Sequence, residues 1–173
     1  MNRERTYSWT DPALTAEASK GMAGLDLLRG LRDGTVPPAP FASLIGLTMS
    51  DVESGLVVMH LTPAEYHYNP IGTMHGGILA TLLDSVMGCA VHSTLPKGRA
   101  YTSLEIKVNY VRAVTIASGE LLAEGRLVHG GRRSAVAEGK VVDARGRLCA
   151  TASTTCMVFD LPGWGGELPR RPD

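Results

Sequence analysis

The run Asn69-Pro-Ile-Gly-Thr-Met-His75-Gly76-Gly77-Ile-Leu-Ala-Thr-Leu-Leu-Asp84-Ser-Val-Met-Gly-Cys-Ala-Val-His-Ser93 decides the fold. From Gly76 to about Ser93 it reads as a helix. Ile78, Leu79, Leu82, Leu83, Val86, Met87, Ala90 and Val91 cover most of its circumference. Thr81, Asp84, Ser85 and Gly88 recur at three- and four-residue steps as one narrow polar strip. A helix that is apolar on most sides must be wrapped rather than laid on a surface.

The segments on either side say what wraps it. Upstream, Leu47–Val52 and Leu56–Leu61 read as short strands around a Glu53-Ser54-Gly55 turn. Downstream, Leu104, Ile106, Val108 and Tyr110 alternate with Ser103, Glu105, Lys107 and Asn109, the period of a strand. Strand-like runs at Gly119–His129, Arg133–Asp143 and Leu148–Phe159 follow, joined at Gly130-Gly131 and Ala144-Arg145-Gly146. Such short turns require antiparallel pairing, because a parallel crossover needs a dozen or more residues. The expectation is an α+β fold: one long buried helix against one curved antiparallel sheet of five to six strands.

The ends carry less pattern. Residues 1–20 are polar. A short helix is expected over Ala23–Arg32, ended by Gly34, and Pro37-Pro38-Ala39-Pro40 reads as a stiff extended linker. The compact domain is placed at 41–160, after an N-terminal extension over 1–40 and before a C-terminal tail at 161–173.

Composition narrows the function. The 173 residues carry 17 basic and 17 acidic side chains, so no global field steers the chain to nucleic acid or an anionic membrane. Residues 1–40 hold too little helix for helix-turn-helix DNA reading. Cys89, Cys149 and Cys156 match no disulfide or zinc spacing and read as buried thiols, which fits a reducing cytoplasm. The first residues precede no apolar signal segment, and no apolar run approaches a membrane span. His60 and His67 lack partners at ligand spacing, so no metal is expected.

Chemistry concentrates where the helix begins and in its middle. The first amides of a helix lack internal partners and carry the positive end of its dipole. Glycines there let a carbonyl oxygen approach closely, which suits an oxygen that gains charge in acyl transfer. Asp84 lies mid-helix among apolar neighbours, an expensive place for a carboxylate and a candidate site for a base or nucleophile. Each feature also has a plainer reading: a turn, a solvated acid, a structural histidine.

In combination these residues resemble the hotdog-fold thioesterases, most closely the PaaI-like branch with its phenylacetate-pathway and 4-hydroxybenzoyl-CoA types. The resemblance rests on His75-Gly76-Gly77, on Asp84 nine residues after His75, on Asn69 and Ser103, and on the run Gly131 to Ala137. It spans roughly residues 41–159. It implies hydrolysis of an acyl-CoA thioester to acid and CoA, without a cofactor of the enzyme's own. Asp84 would be nucleophile or general base, and the Gly76 N–H, helped by Gly77, would polarise the carbonyl. Asn69 would lie near the thioester or water, His75 would fix its loop, and Ser103 would help hold the water. The resemblance also implies a homodimer at minimum, often a tetramer. Each active site would lie at the dimer interface, with Asp84 of one chain facing Asn69 and Gly76 of the other.

Coenzyme A needs local cations in a neutral chain. Arg112, Arg132 and Arg133, with Ser134 beside them, are the candidates, although arginines at a hairpin also serve solubility. The acyl pocket is expected along the helix and the preceding loop, at Tyr66, Tyr68, Ile71, Met74, Leu83, Met87 and Leu104, and fits an aryl or medium-chain group. Two other functions stay open: a hydratase or dehydratase that moves a proton with His75 and Asp84, and a non-catalytic acyl-CoA binder.

Overall fold

The structure is a computed structural model and describes residues 2–161. Four helices and six strands run in the order α1 (Pro12–Ser19), α2 (Gly24–Asp33), α3 (Pro40–Ile45), β1 (Leu47–Glu53), β2 (Leu56–Leu61), α4 (Gly76–His92), β3 (Arg99–Tyr110), β4 (Leu121–Gly130), β5 (Ser134–Val142) and β6 (Leu148–Asp160). The strands form one sheet in the order β1-β2-β4-β5-β6-β3, and every neighbouring pair is antiparallel. α4 packs against β2, β3, β4, β5 and β6, so the sheet curls around it. This is the hotdog arrangement.

The apolar girth of α4 explains the curl. Leu82, Leu83, Val86, Met87, Ala90 and Val91 are fully buried. Each large aliphatic side chain removed from water contributes about 1.5–3 kcal/mol. No flat sheet could cover so many directions at once. Contact with the sheet is close enough to exclude a side chain at Gly125 of β4, where a Cβ would run into the Val86 carbonyl. Both ends of α4 are fastened. His75 is the N-cap, its Nδ1 accepting from the Gly77 N–H at 2.9 Å. At the other end, the Ser93 hydroxyl donates to the Ala90 carbonyl and accepts from the Gly55 N–H, which ties the helix to the β1–β2 turn.

The sheet differs from the sequence pattern at one edge. β3 begins at Arg99, ahead of the clear alternation, because Arg99–Thr102 pair with Met157–Asp160. Its alternation also does not give one buried face: Leu104, Ile106 and Tyr110 are all exposed. β3 pairs on one side only and forms an edge of the sheet, which leaves these side chains largely uncovered.

The chain ahead of Phe41 is built into the fold. α1 escaped the polar reading of residues 1–20, although Asp11-Pro12 is a helix start: the Asp11 side chain accepts from the Ala13 N–H at 2.9 Å and Pro12 stands in the first turn. Leu28 of α2 belongs to the main core, and Val36 beyond it is buried. The proline run is extended only as far as Ala39, since Pro40 opens α3. Proline serves well at a first helical position, where its missing N–H would have no partner. The expected tail beyond Leu161 lies outside the described residues.

His67 connects two parts of the site region. Its buried ring accepts the Ala64 N–H at Nδ1 and donates from Nε2 to the Ile45 carbonyl at the end of α3. Its own carbonyl accepts the His75 N–H at 2.8 Å, just before α4. Burial holds the His67 pKa below its ordinary 6.5; the Ile45 carbonyl acts the other way, and Arg5 adds to the lowering. Burial also lowers that of His92.

Two expectations follow from this packing. Gly125→Ala should cost about 1–3 kcal/mol, the usual penalty of overpacking, read as a lower urea midpoint at unchanged slope. Because His67 and His92 take up protons less readily when folded, acidification favours the unfolded chain. Stability should therefore hold at about pH 7.5 and fall as the pH drops below about 6.5. Urea midpoints across that range check the sign.

Candidate active site

Asp84 and Ser103 meet as the polar strip suggested. The Ser103 hydroxyl donates to the Asp84 carboxylate at 2.8 Å, from the strand that follows α4. The rest of the strip has other work. Thr81 and Ser85 return their hydroxyls to helix carbonyls, Gly77 and Thr81 respectively. Gly88 lacks a side chain because the Tyr101 ring of β3 occupies its place. Burial, with Cys89 and Asp84 close by, pushes the Tyr101 pKa well above the ordinary value.

One wall of the Asp84 neighbourhood is a cavity of about 470 Å³. Asp84, Ser85 and Cys89 of α4 line it with Tyr101, and the opposite side comes from α2, α3 and the two N-terminal strands. The Cys89 thiol is pushed up to about 12, first by burial and then by Asp84, and so stays protonated.

The second group of residues gathers at the start of α4. The Gly76 N–H makes no hydrogen bond among the described residues. The Gly77 N–H is already taken by His75 Nδ1, which leaves Gly76 as the free donor of the pair. His75 thus shapes the helix start through its ring. Asn69 fastens the preceding loop: Oδ1 accepts the Ile71 and Thr73 N–H groups, and Nδ2 donates to the Thr73 hydroxyl. One Nδ2 hydrogen has no partner among the described residues.

Tyr110 completes this group, and the sequence reading had it only as a strand residue. Its hydroxyl donates to the Gly76 carbonyl at 3.0 Å, and its ring lies over the Gly76 Cα. Gly76, Tyr110, Arg112 and Met74 line a second cavity of about 340 Å³. Alternation along β3 places Tyr110 on the helix side, but nothing in the sequence marks its hydroxyl.

Within one chain the two groups are separate. Asp84 stands two turns beyond Gly76, about 12 Å along the axis at roughly 1.5 Å per residue. His75 and Asp84 are likewise not brought together, so the proton-moving pair of a hydratase is not formed in one chain. Arg132, Arg133 and Ser134 are exposed at the β4–β5 turn, and their side chains have no partner among the described residues. The β-ladder sets Ala135 beside Cys156 and Cys156 beside Ser103, so this turn shares the Ser103 end of the sheet. Arg112 lies at the Gly76 end, its Nε donating to the Leu148 carbonyl.

The residues expected for an acyl pocket are not gathered around one cavity. Met87 lies in the core rather than at the cavity beside Asp84. It is fully buried against Gly139 of β5, on the sheet side of α4, as is Leu83. Tyr66, Ile71 and Leu104 are exposed, and none of the seven expected residues borders the cavity at Asp84. Among the described residues no cluster of three or more His, Cys, Asp or Glu could hold a metal, and no helix is long and apolar enough to cross a membrane.

Comparison with known proteins bears on this arrangement. The family profile described as the thioesterase superfamily matches residues 71–150, which include the start of α4, Asp84 and Ser103. The proofreading thioesterase EntH of Klebsiella pneumoniae is 29% identical over 107 residues, covering 62% of this chain and 77% of that protein. A phenylacetic acid degradation-related protein of Ralstonia eutropha superposes with a TM-score of 0.68 at 27% identity, covering 75% of this chain and 97% of that one. A Streptococcus mutans protein solved with bound acetyl-CoA has a TM-score of 0.61 at 30% identity, covering 66% and 89%. The chain belongs to the thioesterase superfamily. It is a hotdog-fold, PaaI-like thioester hydrolase.

For a thioesterase of this fold, the Tyr110 bond to Gly76 positions the helix start. Tyr110→Phe removes one hydrogen bond worth about 0.5–1.5 kcal/mol. Thioester turnover should fall by up to about tenfold while the melting temperature changes little. Steady-state kinetics with thermal unfolding on the same samples check this.

Proposed function

We propose that this thioesterase hydrolyses an acyl-CoA at a site assembled from two chains. The observation that carries the reading is the pairing of a carboxylate, held by Ser103 beside an apolar cavity, with an unpartnered glycine amide at a helix start. These are the two groups that acyl transfer needs: one to attack or to activate water, one to stabilise the oxyanion.

The separation within one chain supports the two-chain assembly. A thioester carbonyl must lie within hydrogen-bond distance of the amide while its carbon lies near the carboxylate. Asp84 and Gly76 of the same helix are too far apart for that. The free edge of β3 offers a way to join them. Ser103 lies towards one end of β3 and Tyr110 at the other. If two β3 strands pair antiparallel about a centre between Ile106 and Lys107, Ser103 and Asp84 of one chain come to the Tyr110 and Gly76 end of its partner. The exposed Leu104, Ile106 and Tyr110 would then be covered.

In the reaction the Gly76 N–H, with the helix dipole behind it, polarises the thioester carbonyl. Asp84 either attacks the carbonyl carbon, forming an anhydride that water then opens, or takes a proton from water as it attacks. In both routes the C–S bond breaks, and the products are the free acid and the CoA thiol. Ser103 orients the carboxylate or the water, and the spare Nδ2 hydrogen of Asn69 is available to the thioester or water. The S. mutans relative was solved with acetyl-CoA bound, which supports CoA as the carrier. Arg132 and Arg133 are cations without an ion-pair partner among the described residues at the Ser103 end, and Arg112 is the cation beside Gly76. Their guanidinium forks suit phosphate.

Asp84→Asn keeps the shape and removes the negative charge. Turnover should fall at least about 100-fold, the low end of what positioned acid–base groups supply. Thiol release from a panel of acyl-CoAs, with a folding check by circular dichroism, measures it. Turnover close to wild type would remove Asp84 from the mechanism.

A further inference from the structure

The strongest unassigned feature is the cavity at Asp84, because most of its outer wall comes from chain that precedes the stretch matched to the superfamily. The sheet curls until its two edges approach α4 from opposite sides. Met49 of β1 and Met59 of β2 form one flank, and Tyr101 of β3 the other. The gap between the edges is roofed by Leu31 of α2, by Pro38-Ala39, and by Phe41 and Ala42 of α3.

This roof is held in place. The Thr15 hydroxyl of α1 donates to the Pro37 carbonyl at 2.9 Å. Left-handed glycines end α2 at Gly34 and α3 at Gly46, where other residues would be strained. The Arg5 guanidinium donates to the Leu44 carbonyl at 2.6 Å and lies 3.8 Å over the Tyr66 ring. His67 clamps the Ile45 carbonyl. Arg32 at the rim is paired with Asp33, so the lining is left without a free cation among the described residues.

We propose that this N-terminal roof makes the acyl pocket and that its natural occupant is a medium-length alkanoyl group; the assignment rests on Asp84 being the reacting carboxylate. The volume, about 470 Å³, falls within the usual range for small-molecule sites. The lining is mainly aliphatic, with Leu31, Leu47, Met49 and Met59 facing Asp84 and Ser85 across the cavity, and Arg32 and Thr48 as its other polar members. That is the polarity of a fatty acyl thioester, a hydrocarbon tail leading to a reactive carbonyl. Methionine and leucine side chains adapt to a flexible chain. Of the two aromatic rings in the lining, Tyr101 is packed against Gly88 and Phe41 stands at the exposed edge, so they do not form a pair of faces that would grip a flat ring. Phe41 is half exposed at the edge of the roof, where a tail could be admitted. The roof and Asp84 come from one chain, so the acyl group and the carboxylate share a protomer. Chain-length selection is thereby assigned to residues outside the matched stretch.

The test compares acetyl-, hexanoyl-, octanoyl- and benzoyl-CoA with the full-length wild type, Ala42→Trp and Phe41→Ala. Ala42→Trp fills the roof and should lower the octanoyl-to-acetyl ratio of kcat/KM at least about tenfold, since even one methylene is worth that much in an apolar site. Phe41→Ala opens an exposed edge that the fold does not depend on, and should move the preference towards longer chains. Thermal unfolding shows whether each variant is folded. Hydrolysis with ratios unchanged in both variants, or a preference for benzoyl-CoA untouched by them, overturns the pocket and leaves the thioesterase reading standing. If the wild type releases no thiol, calorimetric binding of octanoyl-CoA decides. Binding that Ala42→Trp abolishes supports the pocket while the proposed hydrolysis fails, and absence of binding overturns both.

Discussion

The structure depends on one conflict: a helix apolar on nearly all sides that carries a carboxylate in its middle. Enclosing α4 brings a large hydrophobic gain, and the sheet curls to collect it. Enclosing Asp84 carries a desolvation cost that grows with burial. The fold meets both demands by leaving one strip of α4 against the seam between the sheet edges. Ser103 reaches the carboxylate there, and the cavity opens beside it. A carboxylate next to a mainly aliphatic space is a direct consequence of that compromise.

The same helix separates the two halves of the chemistry. Its start presents an amide without a partner among the described residues, shaped by the His75 cap and by the Tyr110 hydroxyl on Gly76. Its middle presents the acid. Rigid helical geometry keeps the two groups apart within one chain, and the proposed reaction therefore calls on a second copy. An edge strand with apolar residues exposed on it, carrying Ser103 and Tyr110 towards opposite ends, is the natural element through which a second copy could supply the missing half. His67 links these features to the roof of the cavity, because one residue bonds both the end of α3 and the residue that caps α4.

Much of this was legible in the chain and some was not. The period of three to four residues in 76–93, followed by strict alternation in 103–110, was enough for the layer arrangement and the order of elements along the chain, but not for the place of β3, which lies beside β6 rather than β4 in the sheet. His-Gly-Gly and Asp84 stood out because each breaks an apolar pattern, and Ser103 came with the resemblance. α1 and the opening of α3 were missed because polar or proline-rich stretches give no hydrophobic period. The residues expected to line an acyl pocket do not share one cavity, for a related reason. Met87 and Leu83 sit beside Asp84 in sequence, but successive helix residues point in different directions, and these two face β5. Leu31, Pro38 and Ala42 lie far from Asp84 along the chain and have no local sign of shared purpose.

The sequence by itself determined the element types, the buried helix and the two chemical groups on it, because periodicity and pattern breaks are local properties of a chain. Only the tertiary structure decided which surfaces meet: that the N-terminal segment roofs the carboxylate, that Tyr110 sits on Gly76, and that β3 is left as an open edge. Those outcomes follow from how far a sheet must curl to cover one helix, a quantity set by the packing of all its strands together.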